Sequence, residues 1–534
     1  MAPKGKKSSF FRSREFKLFF TAWIIYIFYI QMYGSSCMAN SNSALTASIV
    51  NEGRFEIDTY RRVSCDTAFY NGHYYSGMDP GISFISVPTY ILGKSFFSLV
   101  PDYYIYLLFG KVESYSITLP RDFRGEEKVI SNYFPDLDKR QMLEYLFISS
   151  FLLPVFSTSL FSAFSVVLLY LILRNFTNSN RIRLLISIFY AFGTLLFPLS
   201  TEFFQRPIAV SLIFASFFIL FKIKHRKLSY DAPLFFSGLL AGLSVWFDYY
   251  HAVIAGLLAI YLFSFVKERS IKRENICFGI IGKVKLNRVE LSALFRFAAG
   301  FVIPVILLLA YQYAAFDNPL TTAYEYKDLP PEASLGDYSG KGMAFLSFEK
   351  IMHIMGFFLY SPIIILAIYG LYMAIITRNP FKNEAILTAS ILIITFAYAT
   401  FLALFVVYLP GYLPPSHKRY MLPVVPFLMI FLSYVFTNIK IDKKNKLNAA
   451  IIIIGLISLF FNWTAAQFGG HAALGQYSPE EQKFITGIDF LKQGPSSSFF
   501  NAMAGVFGLS KLVLNIAGLI VLWIMLFIIW RKPK

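Results

Sequence analysis

The sequence predicts an all-α polytopic membrane protein of about twelve transmembrane helices, with a large first outer loop that carries interfacial helices. Two observations lead there. Hydrophobic residues make up 56% of the 534 positions and charged residues only 15%, with a mean hydropathy of +0.56, far more apolar than a soluble domain of this size needs to be. Apolar runs of about 18 or more residues also recur along the whole chain, each long enough as a helix to cross the roughly 30 Å hydrocarbon core. Helix is the required form, because lipid offers backbone groups no partners and the runs lack the alternation of a barrel strand.

In order, spans are expected near 18–36, 144–172, 184–199, 205–221, 233–247, 250–266, 297–316, 352–377, 385–409, 421–437, 449–462 and 512–530. The basic segment 1–17 stays in the cytoplasm, and the first apolar run serves as a signal anchor, too long for a cleaved leader and without a convincing small-residue cleavage site. Alternation then puts 37–143 and 463–511 outside as long loops, 144–462 as the helical bundle, and 512–534 as the last helix with a basic cytoplasmic tail. Most lysines and arginines fall inside on this count and most acids outside. The net charge of +18 is therefore a topology signal, and nucleic acid is not an expected partner. Within the first loop, Ile82 to Gly110 is apolar but interrupted by Pro88, Gly93, Lys94 and Pro101. As a span it would invert every later loop, so one or two helices lying in the interface are expected there. Cys277 is expected inside and Cys37 and Cys65 outside. A bridge is open to the outer pair, but free thiols are the expectation.

The chemistry is concentrated in the first outer loop. Asp58 and Asp66 are followed by His73, Tyr74, Tyr75 and the Pro80-Gly81 turn within one short polar stretch. A single loop carboxylate is usually a solvated charge or a cap, but this company suits general-base chemistry at the membrane surface. The outer trio His417-Lys418-Arg419 follows the stiff segment Pro410–Pro415 and runs against the positive-inside bias, as cations placed for an anionic headgroup would. Glu202 and Arg206, four apart at the outer end of the fourth span, read either as a helix ion pair or as substrate-binding groups. Asp248-Tyr249-Tyr250-His251 reads as a short turn with an aromatic belt, and Glu325, Asp328 and Asp337 as loop acids. The histidines are scattered and the cysteines lack ligand spacing, so no obligatory metal or other cofactor is expected; a loosely held divalent ion at the outer acids stays open.

The order Gly53-Arg-Phe-Glu-Ile-Asp58, Asp66-Thr-Ala68, Gly72-His73-Tyr74-Tyr75-Ser76, Met78-Asp79-Pro80-Gly81 and Pro88-Thr-Tyr90 resembles the first outer loop of the GT-C superfamily of polyprenyl-phosphate-sugar-dependent glycosyltransferases. That superfamily includes protein O-mannosyltransferases and the aminoarabinose transferases of lipid A. The likeness extends to Phe357–Gly370 and to Lys418-Arg419-Tyr420-Met-Leu-Pro423-Val-Val-Pro426. It implies an inverting transferase in a bacterial cytoplasmic membrane, both termini cytoplasmic and the active site outside. Such an enzyme would move a sugar from a polyprenyl-phosphate donor to a lipid, glycan or protein acceptor. The resemblance makes Asp66 or Asp58 the base; His73 and Tyr75, with Glu202 and Arg206 read from their placement, are expected to bind substrate, and His417, Lys418 and Arg419 to hold the lipid phosphate. Two departures stand out. Met78 occupies the place of a phosphate-binding lysine, and Asn40-Ser-Asn42-Ser43 the place of an Asp-Glu pair. A transporter or flippase of a lipid-linked glycan, or a catalytically degenerate family member, remain the alternatives.

Overall fold

The computed structural model describes residues 13–31, 37–64, 66–109, 116–117, 128–225, 227–228, 231–270, 277–281, 284–327, 356–377, 380–405, 417–438, 446–467, 476–478, 483–485 and 510–531. The described chain is mostly helical. The helices are α1 Arg14–Phe28, α2 Cys37–Asn51, α3 Gly81–Ile85, α4 Val87–Leu99, α5 Asp102–Phe109, α6 Lys139–Phe147, α7 Leu160–Leu173, α8 Asn180–Phe192, α9 Leu196–Leu199, α10 Gln205–Lys224, α11 Asp231–Phe247, α12 His251–Ser270 and α13 Arg288–Phe316, followed by α14 Ile363–Ile376, α15 Lys382–Phe405, α16 Val425–Asn438, α17 Lys446–Gln467 and α18 Lys511–Trp530. Strands occur only as two-stranded ribbons, of which β1 Thr67–Tyr70 with β2 His73–Ser76 matters to the site.

Among the described residues, six helical stretches are long and apolar enough to cross a membrane: Lys139–Leu173, Gln205–Lys224, Glu290–Phe316, Lys382–Phe401, Lys418–Phe436 and Ala449–Gln467. Shorter apolar helices, Asp231–Phe247, His251–Val266, Ile363–Ile376 and Ile516–Trp530, fall on further expected spans. Two expected spans look different. The one at 18–36 holds a helix of 15 residues, Arg14–Phe28, roughly 22 Å long and short of the hydrocarbon thickness. The one at 184–199 breaks at Gly193, whose N–H donates to Phe189 O at 2.8 Å, and resumes as the single turn α9.

The stretch Lys139–Leu173 starts from an Asp138–Gln141 capping box and contains Pro154, which cannot donate to the helical ladder. Wide turns at Ile148–Leu152 and Val155–Ser159 flank the proline and absorb the missing bond. They also turn Thr158 toward the start of α10. Its hydroxyl donates to Phe204 O and accepts from Phe204 N, both at 3.1 Å, so the entry to α10 is clamped. α10 is buried on all faces, as a helix at the centre of a bundle must be.

The structure also holds a helix that was expected to be loop. α2 buries Asn40, Ser41, Asn42, Ser43, Thr46 and Ser48, small polar groups that each find a local partner. Helices do occupy the described part of that interrupted stretch, as α3, α4 and α5, and their face of Leu92, Phe96, Leu99, Tyr103 and Leu107 is left uncovered. Cys37 is disulfide-bonded, which corrects the expectation of free thiols.

Candidate functional site

Asn71 and Gly72 adopt positive φ of 49° and 87°, the conformation of a two-residue hairpin turn, and pair β1 with β2 in the register Tyr70 to His73. Asp58 holds this hairpin from outside. Its Oδ1 accepts from Tyr74 N and its Oδ2 meets His73 Nδ1, both at 2.8 Å, with His73 half exposed. Tyr75 faces inward against Phe316, with ring centroids 5.2 Å apart, and its hydroxyl reaches Glu56 Oε1 at 3.3 Å. Asp58, His73 and Tyr75 therefore have clear structural work in shaping the loop.

Asp66 sits at the open end of the hairpin, where the backbone is crowded. Its carbonyl accepts from Gly77 N at 2.9 Å and from Ser41 Oγ at 2.6 Å. A Cβ on Gly77 would lie 2.7 Å from that carbonyl, so only glycine fits. The Asp66 carboxylate takes Lys327 Nζ at 2.5 Å, and Ala68 bridges to Lys327 through the backbone. A lysine from a loop far down the chain thus closes over the front acid. Its ammonium lies 4.8 Å from the centre of the Tyr324 ring, and Tyr324 meets Tyr249 edge-on.

Behind this pair lies a deeper cluster. Asn42 Nδ2 donates to Gln205 Oε1 at 3.0 Å, fixing α2 against the first turn of α10 and placing the next residue, Arg206. Arg206 Nε donates to Asp248 Oδ2 at 2.9 Å, both groups buried, and its guanidinium lies 3.6 Å from the centre of the Tyr420 ring. His251 is fully buried, its Nδ1 3.9 Å from Asp248, with neither ring nitrogen hydrogen-bonded. Tyr250 stacks on Tyr398 at 4.3 Å, and Tyr398 meets Tyr420 edge-on at 5.4 Å.

Asp79 enters from the first loop. It is 3% exposed and its Oδ1 has no hydrogen bond. Burial pushes its carboxyl well above the usual range, and the charge of Asp248 adds to this, while Arg206 and Lys327 pull the other way.

Arg419 completes the group. It is buried, its Nη1 donates to Met38 Sδ at 3.1 Å, and its guanidinium lies 5.4 Å and 6.0 Å from the Tyr420 and Phe204 rings. Among the described residues no carboxylate pairs with it, and its Nε has no partner. Among the described residues it meets a thioether and ring faces but no carboxylate, and a buried cation so placed is costly unless an anion arrives.

Several expected groupings are revised. Glu202 and Arg206 do not share a helix, because Thr201 to Phe204 form a turn ahead of α10, and Arg206 pairs with Asp248 instead. The basic trio does not act as a unit. Lys418 is buried against Tyr360 and fills the space over Gly356, apart from the aromatic faces that Arg419 meets. The side chain of His417, Asp328, Asp337 and the turn Pro410–Pro415 lie outside the described residues.

Sequence reasoning passed over three members of the cluster. Asp248, read as an aromatic-belt turn, carried the usable signal of a carboxylate wedged between two apolar helices. Asp79 stood inside the quoted motif without a role. Lys327 had no local signal. Asn40 and Asn42, where an Asp-Glu pair is expected, hold Val63 O and Gln205 and so serve as scaffold.

The assembly can bind an anion at its cations and offer carboxylates to an acidic proton close by. No family model matches the chain, and no curated protein matches it.

Proposed function

We propose that the protein is an inverting membrane glycosyltransferase. It takes a sugar from a polyprenyl-phosphate donor and passes it to a hydroxyl or amine of a lipid, glycan or protein acceptor on the outer face of the membrane. The twelve-span topology with both termini cytoplasmic goes with this reading, and it sets the cluster at the outer ends of the helices. The uncovered face of α4 and α5 then lies in the lipid interface beside the donor's path. The observation that carries the proposal is Arg419, a buried guanidinium without a carboxylate among the described residues, next to Arg206 and Tyr420. Such a cation suits the phosphate that departs as the glycosidic bond breaks, and Asp66 and Asp79 are the acids available to activate an acceptor. Ionisable groups gather at helix ends and loop junctions, which favours chemistry over passage through the midplane of a transporter.

The test is sugar release from a radiolabelled polyprenyl-phosphate donor by the purified protein in detergent. Arg419→Ala is expected to lower release by about a hundred-fold or more. Its melting temperature is expected to hold or rise, because a charge without a counter-ion is being removed. Asp66→Asn is expected to lower transfer while membrane insertion persists. Movement of the intact lipid-linked sugar across proteoliposomes, with no sugar released in detergent, would instead identify a flippase.

A further inference from the structure

We propose that Asp79, rather than Asp66 or Asp58, removes the proton from the acceptor, and that the Asp66–Lys327 pair positions the loop around it. The inference rests on the transferase reading above and assigns the base within that site. Of the three carboxylates between Asp58 and Gly81, Asp58 has both oxygens committed to the hairpin, and Asp66 meets a lysine at 2.5 Å. Asp79 alone among them is buried with an oxygen, Oδ1, that has no hydrogen-bond partner among the described residues.

Its placement is rigid. Gly77 is pressed against the Asp66 carbonyl, and a Cβ on Gly81 would lie 2.7 Å from Trp246 O, so the turn carrying Asp79 is pinned at both ends. Asp79 interacts electrostatically with Asp66 of its own loop, Arg206 of α10, Asp248 of the turn after α11 and Lys327 of the later loop. The phenols of Tyr249, Tyr311, Tyr324 and Tyr398 all feel its charge. Arg206, whose charge acts on Asp79, lies on the Tyr420 ring that Arg419 also faces, which ties the base to the cations for the phosphate.

In the step, the Asp79 carboxylate takes the proton from the acceptor O–H or N–H, and the freed electron pair forms the bond to the anomeric carbon. The bond from that carbon to the phosphate oxygen breaks, and its electron pair leaves on the polyprenyl phosphate. Asp79 then returns the proton to water. Burial suits the role, because a carboxylate held above its ordinary range is a stronger base, and it is competent only once ionised.

The experiment compares Asp58→Asn, Asp66→Asn, Asp79→Asn and Asp79→Glu with the wild type in donor turnover, across pH, in detergent. Asp79→Asn is expected to lose about a hundred- to ten-thousand-fold of turnover. Asp79→Glu is expected to keep part of it with a displaced acid limb, and Asp58→Asn, which loosens the hairpin, to lower turnover without displacing that limb. The wild-type acid limb is expected above the ordinary carboxylate range, activity rising as pH rises through it. Thermal melting supplies a readout independent of turnover. A carboxyl raised in the folded state favours folding fully only below its unfolded value and loses that contribution as pH rises through the folded one. Asp79→Asn is therefore expected to melt no lower than the wild type at pH 8. An active wild type whose Asp79→Asn variant turns over donor with an unchanged acid limb overturns this assignment and leaves the transferase reading standing. A wild type that releases no sugar overturns both.

Discussion

Arg206→Ala is expected to be among the most damaging single substitutions in the protein, losing about a hundred-fold or more in sugar transfer and about 3–5 kcal/mol in stability. The guanidinium is shared by three parts of the chain: it belongs to α10, donates to Asp248 in the turn between α11 and α12, and lies flat on Tyr420. Removing it strands the Asp248 carboxylate in a buried site, already beside Asp79, where two like charges raise each other's cost. Arg206→Lys keeps the charge but has neither the planar face for Tyr420 nor the fork for Asp248, so an intermediate loss is expected. The pairing with Asp248→Asn separates the two consequences. Neutralising the stranded acid should restore much of the melting temperature in detergent, while transfer stays low because the cation is still missing. An Arg206→Ala protein that melts with the wild type would mean that the pair does not carry this load.

How far such a site could be read from sequence depends on the range of the forces that build it. The apolar runs and the interrupted stretch Ile82–Gly110 become helices because burial and backbone satisfaction act locally, and a local pattern reports them. The Asn71-Gly72 turn was legible on the same terms, as a dipeptide suited to positive φ between alternating aromatics, but passed as part of a polar stretch. α2 left no pattern, since a helix buried all round by small polar residues has no amphipathic face to detect. The site's pairings are of a different kind. Arg206 finds Asp248 42 positions on and Asp66 finds Lys327 261 positions on, distances at which a sequence shows composition but no contact. The apparent partner Glu202, four positions before Arg206, was removed from the helix by a turn that no spacing rule registers. The trio at 417–419 misled for a related reason. Successive residues on a tight turn project in different directions, so Lys418 and Arg419 reach different neighbours.

The second large effect concerns the scaffold behind the site. α11 and α13 cross with their backbones almost in contact. A Cβ at Gly238 would fall 1.8 Å from Phe297 O, one at Gly242 2.3 Å from Phe301 O, and one at Gly300 2.0 Å from Phe235 O. Gly238 and Gly242 are four apart, on one face of α11, the spacing by which small residues let apolar helices approach closely. Side chains can rotate away from an added methyl, but carbonyl groups locked in a neighbouring helix cannot, so the helices must separate. Gly238→Ala with Gly242→Ala is expected to cost more than the ~1–3 kcal/mol of ordinary overpacking. The damage should reach the chemistry. The far end of α13 carries Gln312, which holds Tyr249 at 3.3 Å, and Phe316, which packs on Tyr75. Gly256 on α12 supplies the control, because nothing lies within 4 Å of a Cβ there. Gly256→Ala should melt with or above the wild type, replacing a residue that weakens helices by one that favours them. The double variant should instead give a low yield of monodisperse protein and a markedly lower melting temperature. Equal melting of the double variant and the control would show that the two helices do not depend on this close crossing.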